Sequence, residues 1–307
     1  MKIATAAYPL SWLTGWNDYE KKISEWVEGA AEEGAELLVF PEYGAMELAS
    51  LAGAEIAANP EHCIVAVSEF LPAADDLHAR LAAEHNVHIC AASAPVRRPN
   101  GRPVNRARLF GPMGLIGWQD KLIMTRFERE EWDIAPGNEA IVFDTELARI
   151  GILTCYDAEF PLNARAMIEA GAEILLVPSC TEALSGYWRV RIGAMARALE
   201  SQCVVVHAPL VGKAPWAATI QAGTGAAAIY GPPDLGFPDT GVLAEGPMNA
   251  PGWVVEDIDR DAIGRVRERG RVLNMVHWRE QDDRLEAVQI IAPQTEADQP
   301  ARASSRG

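Results

Sequence analysis

Two stretches far apart in the chain follow one pattern: EGAELLVFPE at 33–42 and AGAEILLVPSC at 170–180. Each closes a helical segment at a glycine, turns through Ala-Glu and runs four apolar residues into a proline. Four consecutive apolar residues bounded by turn residues describe a strand covered on both faces. Proline cannot donate to a sheet ladder and so marks the strand end. A chain that builds covered strands needs helices to cover them. Residues 17–33 read as one helix, with Tyr19, Ile23, Trp26, Val27 and Ala30 on a single face and Gly34 as its stop. Residues 62–84, 161–170 and 185–202 read as others. Strand-like runs fall near 2–8, 36–40, 87–93, 105–111, 115–120, 140–144, 149–155, 173–179 and 203–208. This alternation predicts an α/β fold. Residues 105–120, centred on GPMG, read as a hairpin, which makes the sheets mixed. The two similar halves predict a four-layer α-β-β-α sandwich, two mixed sheets packed face to face with helices outside. No linker divides the chain. Residues 1–290 therefore read as a single domain and the polar tail 291–307 as disordered.

Three residues with chemistry stand at strand exits. In ARIGILTCYDAEFP (148–161), Ile150, Ile152 and Leu153 form a buried run and Cys155 falls where the strand turns toward a helix. Such a turn exposes a side chain beside backbone N–H groups able to hold an anion. In GAELLVFPEYG (34–44), Pro41 ends the strand and leaves Glu42 at the same topological position. In GLIGWQDKLIMTRFEREEW (114–132), Lys121 leaves the strand of Leu115, Ile116 and Trp118. Taken singly, these are a core cysteine, a solvated glutamate and a surface lysine. Taken together they form a constellation, because the carboxyl ends of strands in open α/β sheets converge on a ligand crevice.

These motifs resemble the carbon–nitrogen hydrolase, or nitrilase, superfamily, whose triad runs Glu, Lys, Cys in chain order. The matching positions are Glu42 in FPEYG, Lys121 in WQDKL and Cys155 in LTCYDAEFP. The similarity continues through ILLVPSC (174–180), RIGAMARALESQCVVVHAPLVG (191–212) and GVLAEG (241–246). The resemblance implies the α-β-β-α fold, a homodimer or larger homo-oligomer, and a second glutamate that supports the lysine ahead of a PG dipeptide. Counting back from Pro136-Gly137 gives Glu130, with Glu131 a close competitor. The chain also departs from the commonest amidase branch. Glu159 stands where that branch has arginine after CYD, Leu162 follows the proline, and LIMTRF follows the lysine.

The expected reaction is hydrolysis of a non-peptide carbon–nitrogen bond, an amide or carbamoyl group of a small molecule, through a thioester. Cys155 is the nucleophile, Glu42 the base and later the acid, Lys121 and the backbone of Tyr156 the oxyanion donors, and Glu130 the orienting carboxylate. No cofactor is required. Tyr43, Tyr156, Glu159, Thr181 and Trp188 are candidate pocket residues because they adjoin strand ends. Trp188 equally suits packing, Asp157 suits a cap of the turn after Cys155, and Glu159 equally suits a pair with Arg165. If Glu159 faces substrate, it favours neutral or amine-bearing amides over those carrying a carboxylate. A nitrilase acting on a cyano group and a catalytically silent binding or scaffold subunit are the alternatives, and a papain-like pair of cysteine with His207 is a third.

The chain has 307 residues with a formal net charge of −16, which argues against nucleic acid as a partner. Five scattered cysteines, at 63, 90, 155, 180 and 203, do not make a disulfide framework and favour a reducing cytoplasm. No apolar segment approaches the ~20 residues that span a bilayer. The opening MKIATAAYPLSWL is faintly signal-like, but Pro9 favours a first strand. His85, His88 and Cys90 in HNVHIC have no second ligand cluster to complete a metal site.

Overall fold

The computed structural model describes residues 1–99, 101–285 and 288–291. Of the tail expected to be disordered, all but Ile291 lies outside the described residues. Among the described residues fourteen strands are joined by hydrogen bonds, nine of them in a single path that has two halves. In the first half, Lys2–Pro9, Leu37–Val39 and His88–Cys90 pair in parallel. Gly101–Gly111 then runs antiparallel to His88–Cys90, and Gly252–Asp257 runs antiparallel to Lys2–Pro9. In the second half, Arg149–Ile152, Ile174–Ser179 and Val204–Lys213 pair in parallel, with Val142–Asp144 and Ala228–Tyr230 antiparallel at the flanks. The halves meet where Tyr8 and Pro9 pair in parallel with Leu210 and Val211. The fold is α/β with mixed sheets.

Burial follows the two-residue period of a strand. Leu37 and Val39 share an apolar cluster with Ile150, Ile152, Ile174, Leu176, Val204 and Val206, which come from the other half. Their neighbours point the opposite way. Leu38 and Phe40 pack with Ile23 and Val27 of helix Trp16–Glu32 and with Leu77 and Leu81 of helix Pro60–His85. Leu175, Val177 and Val205 pack with Met167 of helix Pro161–Glu169 and with Val190 and Ala194 of helix Leu184–Ser201. The continuous apolar runs are thus what two-sided burial requires.

The hairpin forms as Gly101–Gly111 and Gly114–Asp120, closing on the pair Gly111 and Gly114. Gly114 has φ +107, a backbone conformation open chiefly to glycine. The strand before Cys155 is shorter than its apolar run: it ends at Ile152, and Cys155–Glu159 forms a separate tight turn of 3-10 helix before Pro161–Glu169 begins. Strands Ala94–Arg98, Ala228–Tyr230, Val242–Glu245 and Gly252–Asp257 have no counterpart among the runs read from sequence. Ala94–Arg98, Val242–Glu245 and Gly252–Asp257 are only partly buried or charged and offer at most three consecutive apolar residues, whereas Ala228–Tyr230 is a three-residue strand closing the apolar run at 226–230.

Leu176 is fully buried between the two halves, whereas Leu162 is 71% exposed. Leu176→Ala should cost about 2–5 kcal/mol, read from the denaturant midpoint. Leu162→Ala should stay within about 0.5 kcal/mol.

Candidate functional site

Each strand exit delivers its side chain inward by a specific local device. Phe40 extends the ladder by one bond, its N–H donating to Cys90 O at 2.9 Å, and Pro41 stops it. Tyr43 then adopts φ 56, a left-handed conformation that costs a residue with a Cβ, and its N–H donates to Ser93 Oγ at 2.9 Å. Lys121 is held through its own backbone: its N–H donates to Asn105 O at 2.8 Å and its carbonyl accepts from Gly137 N at 2.7 Å. A Cβ on Gly137 would lie 2.5 Å from Asp120 O, so the PG dipeptide must end in glycine to dock there. Cys155 has φ 52, the same uncommon region as Tyr43, at the start of its tight turn. Asp157 ties the last two segments together. Its Oδ1 accepts from Ile123 N at 2.7 Å, and its Oδ2 accepts from Leu122 N at 3.1 Å and from Thr154 N at 3.2 Å. The aspartate therefore both caps the turn and clamps the chain after Lys121 against it.

These devices bring Glu42, Lys121 and Cys155, at 1%, 1% and 4% exposure, to the wall of one cavity of ≈ 220 Å³. Lys121 Nζ donates to Glu42 Oε1 at 2.8 Å and to Glu128 Oε2 at 2.7 Å. Glu42 also accepts from Asn105 Nδ2 and from Cys180 N, both at 2.9 Å. Glu128 accepts further from Tyr43 OH at 2.7 Å, Thr125 N at 2.9 Å and Thr125 Oγ1 at 2.8 Å. Cys155 Sγ faces Cys180 O at 3.8 Å.

The carboxylate beside Lys121 is thus Glu128, which corrects the expectation of Glu130. Glu130 is exposed and pairs with Arg126 at 2.7 Å, and Glu131 is exposed as well. Both sit on the short helix Arg126–Glu130 or just past it, which begins with a capping box of Thr125 and Glu128. A helix turns by about 100° per residue, so if Glu128 points inward Glu130 points away. The sequence signal was the spacing Thr125-x-x-Glu128, which marks a helix start and fixes the N3 glutamate against the cap.

Of the expected wall residues, Tyr43 lines the cavity, while Tyr156, Glu159, Thr181 and Trp188 are not among its lining residues. Tyr156 packs edge-on against Phe160. Glu159 pairs with Arg189 at 3.3 Å, and Arg165 instead meets Glu169. Thr181 Oγ1 donates to Thr224 O at 2.9 Å. Trp188 lies on the outer face of its helix, 47% exposed. The wall is made instead by Phe127, Trp132 and Cys180, by Glu182, and by the segment Thr219 to Ala222. Phe127 and Trp132 arrive with the same capped turn that brings Glu128. The segment Thr219 to Ala222 carries no strand or helix pattern of its own that would point to it.

Burial is the first influence on Glu42, Lys121, Glu128 and Cys155. It raises the Glu42 carboxyl above its usual range, with Lys121 opposing and Glu128 reinforcing the shift. It also raises the Cys155 thiol, with Glu42 adding to the effect and Lys121 opposing. Burial opposes the Lys121 ammonium, but Glu128 and Glu42 outweigh it and hold the lysine well above its ordinary value. Burial likewise opposes ionised Glu128, and Lys121 with its hydrogen bonds outweighs that, leaving this carboxyl low. The result is a neutral thiol beside a carboxylate of raised basicity, which suits proton transfer coupled to attack.

His207 does not join Cys155. Its Nε2 lies 2.8 Å from Ser179 Oγ and its ring stacks on Tyr187. Among the described residues no group of three or more His, Cys, Asp or Glu is gathered to hold a metal ion, and no helix is long and apolar enough to cross a membrane.

Removing one partner of a buried ion pair strands the other charge. Glu128→Ala should therefore cost about 3–5 kcal/mol of stability, and Glu130→Ala less than about 0.5 kcal/mol. Burial also lowers His207 from 6.5 to about 3. The unfolded chain takes up this proton first, so stability from neutral His207 is complete above pH 6.5 and is lost as pH falls toward about 3. Denaturation across that range should show a shallower acid loss in His207→Gln than in the wild type.

The sequence profile described as carbon-nitrogen hydrolase matches residues 2–268. The chain is 31% identical over 272 residues to a Bacillus subtilis (strain 168) protein described as "Probable hydrolase YhcX", covering 89% of this chain and 52% of that protein. It thus spans about half the length of that relative. It is 25% identical over 207 residues to omega-amidase NIT2-B of Xenopus laevis, covering 62% of this chain and 68% of that one. Among solved structures, a mutant amidase from Nesterenkonia sp. AN1, carrying acrylamide added at its active-site cysteine, superposes with a TM-score of 0.67 at 21% identity, covering 91% of this chain and 99% of that one. The NitFhit protein of C. elegans superposes with a TM-score of 0.70 at 21% identity, covering 87% and 62% of the two chains. At these identities the structural likeness speaks for the fold. The profile match, spanning most of the chain, speaks for descent, and the protein belongs to the carbon-nitrogen hydrolase family.

Proposed function

We propose that this protein hydrolyses a non-peptide carbon–nitrogen bond, in an amide or carbamoyl group of a small molecule, through a thioester on Cys155. The observation that carries the reading is the buried Glu42–Lys121–Glu128 ion cluster opening on the same cavity as the cysteine. Glu42 takes the thiol proton as sulfur attacks the carbonyl carbon, then returns it to the departing amine. Water activated by Glu42 then cleaves the thioester. Lys121 has three N–H donors and spends two on carboxylates, which leaves one for the oxyanion. The second oxyanion donor is the backbone N–H of Tyr156. The first backbone bond of its turn runs from Asp157 N to Thr154 O, so the turn itself leaves this N–H unused. Glu128 holds the lysine in place. Side chains, the Tyr156 backbone N–H and water carry every step of this scheme.

The cavity of ≈ 220 Å³ is smaller than a typical drug-sized pocket of about 300–1,000 Å³, which favours a short acyl chain. The alternation of apolar clusters supports the α-β-β-α layering of a single domain over residues 1–290. A homo-oligomer is supported by helix Leu184–Ser201, where Leu184, Trp188, Ile192 and Leu199 stand exposed at helical spacing. Five free cysteines suit a reducing cytoplasm.

Steady-state hydrolysis of a panel of short amides tests the reading. Cys155→Ala should abolish turnover, and Glu42→Gln and Lys121→Ala should each reduce kcat at least about 100-fold. Glu128→Gln should be damaging and Glu130→Gln close to wild type. Turnover in Glu42→Gln equal to wild type would remove the base from the scheme, and no turnover of any amide by wild type would favour a silent binding subunit.

A further inference from the structure

The cavity carries a charge that the chemistry does not use. Among its described lining residues the ionised side chains are Glu42, Lys121, Glu128 and Glu182. Lys121 already serves both Glu42 and Glu128. Glu182 is exposed to the opening, and no salt bridge to its carboxylate is present among the described residues. Its backbone, by contrast, is firmly placed. Thr224 Oγ1 donates to Glu182 O at 2.8 Å, Thr224 N donates to Thr181 O at 2.7 Å, and Thr181 Oγ1 donates back to Thr224 O at 2.9 Å. These three bonds cross-link two segments of the cavity rim. Glu182 follows Cys180 by two residues, a span of at most about 7 Å, and Cys180 O lies 3.8 Å from the Cys155 sulfur. Glu182 and the reacting cysteine thus line the same small cavity.

The aromatic part of the wall is a second observation. Tyr43 and Trp132 meet edge-on with centroids 4.9 Å apart, and Phe127 lies 5.6 Å from Trp132. Trp132 is 5% exposed, and its indole N–H has no partner among the described residues. Such an unpartnered donor calls for an acceptor on the ligand, which an amide carbonyl has and an ammonium lacks. Aromatic rings and a carboxylate that line one cavity make a favourable place for an ammonium group, and the lining residues include no arginine or second lysine for an anion.

We propose that Glu182 is a specificity-determining residue that selects carboxamides bearing an amine a few bonds from the scissile carbonyl. This rests on the hydrolytic reading above for its reaction, but not for its binding. The preference for amine over carboxylate that Glu159 was expected to impose thus passes to Glu182, since Glu159 is engaged with Arg189.

The test uses three amides of similar size: γ-aminobutyramide, valeramide and succinamate. Binding to Cys155→Ala by calorimetry and kcat/KM of the otherwise wild-type protein are measured with and without Glu182→Gln. The amine should be favoured over the neutral amide by about fivefold, a value for a solvent-screened pair that shrinks with added salt. Succinamate should be the weakest. Glu182→Gln should bring the amine-to-neutral ratio close to one, while Glu159→Gln keeps the wild-type ratio. An amine preference unchanged in Glu182→Gln, a preference for succinamate, or no binding of any of the three overturns the inference. Amine-selective binding lost in Glu182→Gln without hydrolysis by the parent protein supports it and counts against the hydrolytic function alone.

Discussion

The ammonium of Lys121, shut away from water, organises the site. An isolated buried charge costs several kcal/mol even after relaxation, and breaking its pairing is worse than never making it. Two carboxylates answer it at 2.7 and 2.8 Å, which leaves the trio net negative and in need of donors of its own. Asn105, the Cys180 N–H, Thr125 and Tyr43 supply them. Each donor comes from a different segment. Satisfying one lysine therefore fixes the strand exits at residues 40–43, the hairpin strand at Asn105, the capped turn at 125–128 and the end of strand Ile174–Ser179 relative to one another.

A second tie keeps the nucleophile in register with that cluster. Asp157 accepts backbone donors from both the Lys121 segment and the Cys155 turn, so the two cannot drift apart independently. Tyr43 and Cys155 hold strained left-handed backbones next to the groups they present. Strain of about 1–3 kcal/mol per residue persists only where surrounding structure over-determines it. The paired sheets and the hydrogen-bonded rim provide that surrounding, which connects apolar burial between the halves to the aim of a single sulfur atom.

How much of this was legible depended on how many residues signalled each feature. Leu37–Val39 and Ile174–Ser179 announced themselves because burial on both faces demands consecutive apolar residues; Pro41 follows the end of the first, whereas Pro178 lies within the second, one residue before its end. The position of Glu42 followed from the first of those ends, and those of Lys121 and Cys155 from the exits of Gly114–Asp120 and Arg149–Ile152. Glu128 was misplaced by two residues because counting from Pro136-Gly137 ignored the capping box at Thr125, whose geometry decides which glutamate faces inward. Glu159 and Trp188 adjoin strand ends in sequence, yet their turns carry them away from the cavity, to Arg189 and to an exposed helix face. Glu182, Thr219 and Gln221 were invisible for a different reason: their place in the rim depends on bonds between distant segments, such as Thr224 to Thr181, that no local pattern encodes.

In the proposed reaction one cysteine of five carries the acyl group. Wild-type protein quenched in acid during turnover of a slowly hydrolysed amide, digested and mapped by mass spectrometry, tests it directly. An added acyl mass is expected on the peptide containing Cys155, absent when hydroxylamine has cleaved the thioester. The same mass on the peptides of Cys90, Cys180 or Cys203, or turnover with no covalent adduct under conditions where deacylation is slow, would contradict it.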